Sequence, residues 1–145
     1  MAALPPPAQS DIRWKQRFDN LQRAYQRLRW ALEIHQQDPD NDLIRMAVIK
    51  AYEFTFELSW KTLKDFLAYN GIDAKLPREV LKQAFATGLV SDGQLWIDML
   101  EERNLMAHTY DDTRARKAVD QIQERYFSGL QQLHDLLATK RQEAP

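Results

Sequence analysis

The sequence predicts an all-α protein: one antiparallel bundle of four to five helices, spanning 10–140. Three observations carry this. Apolar residues recur at alternating steps of three and four over long stretches, no segment alternates apolar and polar residues between hairpin dipeptides, and only 4 glycines punctuate the 145 residues. A chain of this length buries a core without crosslinks or metals, so a single domain is expected.

Met1 to Gln9 reads as a disordered lead, because Pro5-Pro6-Pro7 carries no burial pattern and cannot enter a helix interior. Ser10 then offers an N-cap. From about Asp11 to Gln37, Phe18, Leu21, Tyr25, Leu28 and Leu32 form one stripe of a long helix. Asp38-Pro39-Asp40-Asn41 is a turn, since proline biases its predecessor away from helix and Asp and Asn favour caps. The second helix, from about Asp42 to Asn70, places Ile44, Ala47, Val48, Ala51, Phe54 and Leu58 on one face, with Tyr52, Phe56 and Trp60 widening the apolar arc. That width predicts the most buried element. Gly71 suits a left-handed C-cap, Pro77 the first turn of a short third helix, and Gly88 its end. Ser91 followed by Gln94 reads as a capping box for a fourth helix through Trp96, Met99 and Leu100. A fifth, from about Asp112, carries Val119, Ile122, Tyr126, Leu130, Leu133 and Leu137. Short connections between long helices imply antiparallel packing.

The composition narrows the function classes. With 0 cysteines there is no disulfide framework, thiolate metal site or cysteine nucleophile, and a reducing compartment, by default the cytoplasm, is expected. No window approaches the ~18 consecutive apolar residues of a membrane span. A net charge of -1 gives no global attraction to polyanions, so any nucleic-acid contact must come from local Arg and Lys clusters. Glycine-rich phosphate loops and serine elbows are absent, which argues against a nucleotidyltransferase. His35 and His134 lack metal-ligand spacing, so neither a metal nor another cofactor is expected.

The segment Arg103-Asn104-Leu105-Met106-Ala107-His108-Thr109-Tyr110 is the candidate functional centre. Thr109 to Asp112 is β-branched, aromatic and then cap-like, so the fourth helix should fray or bend near His108. On an unbroken helix, Arg103 and His108 would lie about 140° apart while Arg103 and Tyr110 share a face. A bend or a second subunit is needed to bring Arg and His together. Converged, they suit RNA scission: the imidazole moves the proton of a ribose 2′-OH, and the guanidinium fork holds the charge on phosphorus-bound oxygens. Cations also suit the negative end of a helix dipole, and Tyr110 can equally be read as an anchor, so spacing alone leaves an architectural role open.

Arg103-x4-His108-x-Tyr110 resembles the Arg-x(4-6)-His motif and following tyrosine of HEPN domains of the HepT type. The run from Ala51 to Lys61, with Pro77-Arg78-Glu79-Val80-Leu81, Gly88-Leu89 and Trp96, resembles the branch of nucleotidyltransferase substrate-binding proteins. The resemblance implies a HEPN-like homodimer, a minimal nucleotidyltransferase as antitoxin-like partner, and metal-independent ribonuclease toxin activity. By position it makes Arg103 and His108 catalytic and Tyr110 the site of AMP addition; the alternative is a non-catalytic subunit that presents a nucleotide or other substrate.

Other clusters surround this core. Glu53 and Glu57 share a helix face; Glu57 is expected to pair with Lys61, leaving Glu53, with Asn104, as a candidate to orient the site. Arg114, Arg116 and Lys117 are candidates to position RNA through its phosphates. Arg13, Lys15, Arg17, Arg23, Arg27 and Arg29 on the first helix read either as a solvated face or as a phosphate-binding one.

Overall fold

The computed structural model describes residues 7–108 and 111–143. Among these residues every regular element is helical: α1 (Pro7–Gln37), α2 (Asp42–Tyr69), α3 (Pro77–Ala86), α4 (Gly93–His108), α5 (Asp112–Gln121), a π-helical turn (Ile122–Tyr126) and α6 (Phe127–Glu143). The all-α bundle that the periodicity predicts is therefore observed. α1 and α2 form the long hairpin of the molecule, α6 packs on both, and α3, α4 and α5 lean on α2.

The stripe of α1 is buried as expected, with Phe18, Leu21, Tyr25, Leu28 and Leu32 all within the core and joined by Trp14. Each such side chain contributes roughly 1.5–3 kcal/mol on burial. Asn41 caps α2, its side-chain oxygen accepting from the amides of Leu43 (2.9 Å) and Ile44 (3.3 Å). At the other end Gly71 takes φ +84°, which lets the Ile72 amide reach back to the Leu67 carbonyl at 2.8 Å. Arg45 is buried beneath the hairpin turn, donating to the Asp42 carboxylate and to the Pro39 carbonyl.

Four expectations need correction. α1 begins at Pro7, because proline is compatible with the first turn of a helix; Ser10 therefore lies inside the helix rather than capping it. Residues 1–6 lie outside the described set. α4 is capped by Asp92, not Ser91: the Asp92 carboxylate accepts the Leu95 amide at 3.0 Å. Asp92→Ala is expected to lower stability by about 1 kcal/mol while Ser91→Ala leaves it within about 0.5 kcal/mol, as read by urea denaturation.

The third correction concerns α2. Its deepest residues are Val48, Tyr52, Phe56 and Leu63, each 0 % exposed, whereas Phe54 is 56 % exposed. Apart from Val48, the six-residue stripe is thus the margin of the buried arc, and the aromatic widening is its centre. Finally, the last helix is interrupted by the π turn, although helical dihedrals persist through Gln121, Ile122 and Phe127. The inserted residue keeps Ile122 and Tyr126 buried on the same side as Leu130, Leu133 and Leu137.

His134 stacks on Tyr25 with ring centroids 4.4 Å apart, and His35 is buried in α1. Both serve packing. No metal-binding group of His, Asp and Glu occurs among the described residues, and no helix there is long and apolar enough to cross a membrane.

Candidate functional site

α4 carries Arg103 on its penultimate turn and runs unbroken to His108. The expected bend therefore does not fall within the helix, and the five-residue step leaves the α-carbons of Arg103 and His108 about 140° apart around its axis. The imidazole of His108 and the whole of Tyr110 lie outside the described residues. Asp111 then caps α5, its carboxylate accepting the Arg114 amide at 2.8 Å.

Arg103 is held by α2. One guanidinium nitrogen lies 2.6 Å from Glu57 Oε1, a second donates to the Asn104 side-chain oxygen at 3.0 Å, and the plane sits 6.0 Å from the Phe56 ring centre. Nε is buried without a hydrogen-bond partner. The pair is accessible, with 25 % of the arginine and 33 % of the glutamate side chain exposed. Glu57 is itself fixed, because its other oxygen accepts Trp60 Nε1 at 3.0 Å and lies 3.7 Å from Lys61 Nζ. An arginine so placed has a set orientation and donors left over for an anion.

The structure thus brings together Arg103, Asn104 and Glu57. Glu53 instead meets Lys50 at 3.6 Å. Periodicity does place Glu57 beside Lys61, but that signal points along α2; the reach to Arg103 depends on how α2 and α4 cross.

An open cleft of about 770 Å³ runs between α4 and α5, lined on α4 by Glu102 and Leu105 but not by Arg103. Arg114 and Lys117 line it, with Thr113, while Arg116 is not among its lining residues. The wall also carries four carboxylates, Glu102, Asp111, Asp120 and Glu124. Sequence reasoning overlooked Glu102. It lies three residues after the fully buried Met99, which is the one available hint that it turns inward.

Burial raises the Glu102 carboxyl above its ordinary 4.5, partly offset by the Arg114 charge. A raised carboxylate pKa means that the protonated form is favoured in the fold. That contribution is complete below 4.5 and is lost as pH rises through the higher folded value. Glu102→Gln is accordingly expected to raise the melting temperature at neutral pH and to leave it unchanged in acid, a difference that thermal scans across pH will read. Nearby, Tyr52 donates to the Met99 carbonyl at 2.9 Å, and burial pushes its phenol well above the usual range.

The helical bundle, with Arg103 of α4 anchored on α2, shares its fold with solved structures. A Haemophilus influenzae protein described as having the fold of a substrate-binding domain of a nucleotidyltransferase superposes with TM-score 0.72 at 25% identity, over 83% of this chain and 98% of its own. A Thermus thermophilus protein gives 0.65 at 26% identity, over 76% and 98%. A tri-AMPylated Shewanella oneidensis HEPN toxin, solved in complex with an MNT antitoxin, shares the fold at 0.69 with 13% identity, over 86% and 95%.

Residues 16–139 match the family described as nucleotidyltransferase substrate binding protein like, and the chain belongs to that family. A Haemophilus influenzae relative named "Probable ribonuclease HepT" is 31% identical over 88 residues, which are 57% of this chain and 60% of that protein. The match therefore spans less than two thirds of the relative.

Proposed function

We propose that this chain is the metal-independent endoribonuclease of a toxin–antitoxin pair, acting as a homodimer and silenced by a minimal nucleotidyltransferase. The observation that carries the reading is Arg103, oriented by Glu57 yet part-exposed, five residues before the helix-terminal His108 on the helix whose Glu102 and Leu105 line a cleft holding Arg114 and Lys117. In the reaction the ribose 2′-oxygen attacks the adjacent phosphorus as His108 accepts its proton. The P–O5′ bond breaks, the 5′-oxygen takes a proton from water and leaves as a hydroxyl, and the guanidinium of Arg103 holds the charge gathered on the non-bridging oxygens.

The continuous α4 supports a composite site, with arginine from one copy and histidine from the other, because the two α-carbons point apart within a single helix. Arg114 and Lys117 position the phosphates without reading sequence. Silencing proceeds at Tyr110, whose phenolic oxygen attacks the α-phosphorus of ATP and releases pyrophosphate.

Purified protein in EDTA should convert RNA to fragments with 2′,3′-cyclic phosphate ends; absence of cleavage rejects the enzyme. Incubation with the nucleotidyltransferase, ATP and magnesium should add the mass of AMP to the wild type and not to Tyr110→Phe. Gain of AMP by that variant rejects the acceptor.

The four carboxylates of the cleft favour a second reading, since they repel a polyanion. In it the chain presents a nucleotide or other substrate to the nucleotidyltransferase and cuts nothing. AMP transfer without RNA cleavage would select it.

A further inference from the structure

Outside the candidate site, an unpartnered apolar groove of about 670 Å³ lies between α1 and α2. Ala47 and Ala51 form part of its floor, and Trp30 and Phe54 stand at its sides, 63 % and 56 % exposed. Exposing two large aromatics around a small-residue floor is costly for a free surface and matches the shape that receives the ridge of a helix. Arg23, Arg27 and Lys50 also line the groove, and no carboxylate does.

Two of these three cations, Arg23 and Arg27, have no carboxylate partner among the described residues. Arg23 donates only to the neutral side-chain oxygen of Asn20, and Arg27 has no ion-pair partner among the described residues. Lys50 reaches Glu53 at 3.6 Å and leans over the Phe54 ring at 5.1 Å. Of the other four basic residues of α1, Lys15, Arg17 and Arg29 each have a carboxylate within 3.7 Å, and Arg13 has none among the described residues. Two of the three cations of α1 without an ion pair, Arg23 and Arg27, thus line the groove where its apolar surface is open.

From this juxtaposition we infer that the α1–α2 groove docks an acidic amphipathic helix of a partner protein, its apolar ridge between Trp30 and Phe54 and its flanking Asp or Glu side chains on Arg23 and Arg27. A second copy of the chain fits less well. A two-fold contact brings the same patch against itself, setting a cationic groove lined by no carboxylate on its own copy. The groove reaches Leu58, the neighbour of Glu57, so an occupant would end close to the Arg103 pair.

Trp30 supplies the readout, since Trp14, Trp60 and Trp96 are only 1 %, 8 % and 2 % exposed. The probe is a synthetic helix of about 18 residues, roughly 27 Å long, with Leu on one face and Glu beside it. Titrated into the full chain, it should shift Trp30 emission to the blue saturably, and more weakly as salt is added. Arg23→Glu with Arg27→Glu should weaken this at least about tenfold. Both arginines are exposed, so circular dichroism should stay unchanged.

No shift with the Glu-flanked helix overturns the inference, as does equal affinity for a Lys-flanked helix of the same Leu pattern. A single-stranded RNA that shifts Trp30 and displaces the peptide would make the groove a nucleic-acid surface instead. Light scattering that shows dimerisation to cover Trp30, with loss of the dimer in the double Arg→Glu variant, would assign it to the second copy. None of these outcomes depends on whether the protein cleaves RNA.

Discussion

His108→Ala is expected to lower the rate of RNA cleavage in EDTA by about 100- to 10,000-fold, the range associated with removing a positioned proton-transfer group. Arg103→Ala should lose about 100- to 1,000-fold, as when one preorganised donor to a developing oxyanion is deleted. Arg103→Lys should recover little, because an ammonium retains charge but not the planar fork. Stability provides the control: the Arg103–Glu57 pair is part-exposed, so breaking it should cost no more than about 1 kcal/mol. Cleavage by His108→Ala at the wild-type rate would reject the assignment.

The same two variants test how the site is assembled. If arginine and histidine come from different copies, mixing the two inactive proteins regenerates one intact site in each mixed dimer. Random reassortment then restores about one quarter of the wild-type activity. If both groups come from one copy, every site in the mixture lacks one of them and the mixture stays inactive. The unbroken run of α4 through His108 makes the first outcome the expected one.

Phe56→Ala should be the most damaging single truncation near the site, at about 3–5 kcal/mol. Phe56 is 0 % exposed, with the Tyr52 and Trp96 rings 6.2 Å and 6.1 Å away and the Arg103 guanidinium 6.0 Å from its centre. Its removal opens a cavity under the arginine as well as losing buried area. Phe54→Ala, two residues earlier, should change stability by no more than about 0.5 kcal/mol because its ring faces the groove. Chemical denaturation with an unchanged slope will measure both. Equal losses would contradict the placement of the α2 core.

Helix formation, and the order of the helices, were legible in the residues. Steps of three and four mark α1 and the last helix, while Asn41, Gly71, Pro77, Gly88 and Asp111 punctuate the chain through local backbone chemistry that needs no distant partner. The motif was legible in the same way, as identities at fixed spacing. Local signals failed where two candidates compete within a residue or two: Asp92 displaced Ser91 as a cap, and Phe56 displaced Phe54 in the core.

Sequence by itself determined that this chain makes amphipathic helices ending in Arg103-x4-His108, because helical periodicity and capping act over a few neighbouring residues. Only tertiary structure decided that Glu57 rather than Glu53 holds Arg103, that Glu102 turns inward, and that Trp30 and Phe54 flank an open groove. Those outcomes depend on the rotation and crossing of whole helices. A shift of one residue turns a helix face by about 100°, so pairings across helices follow from the packing of the complete core.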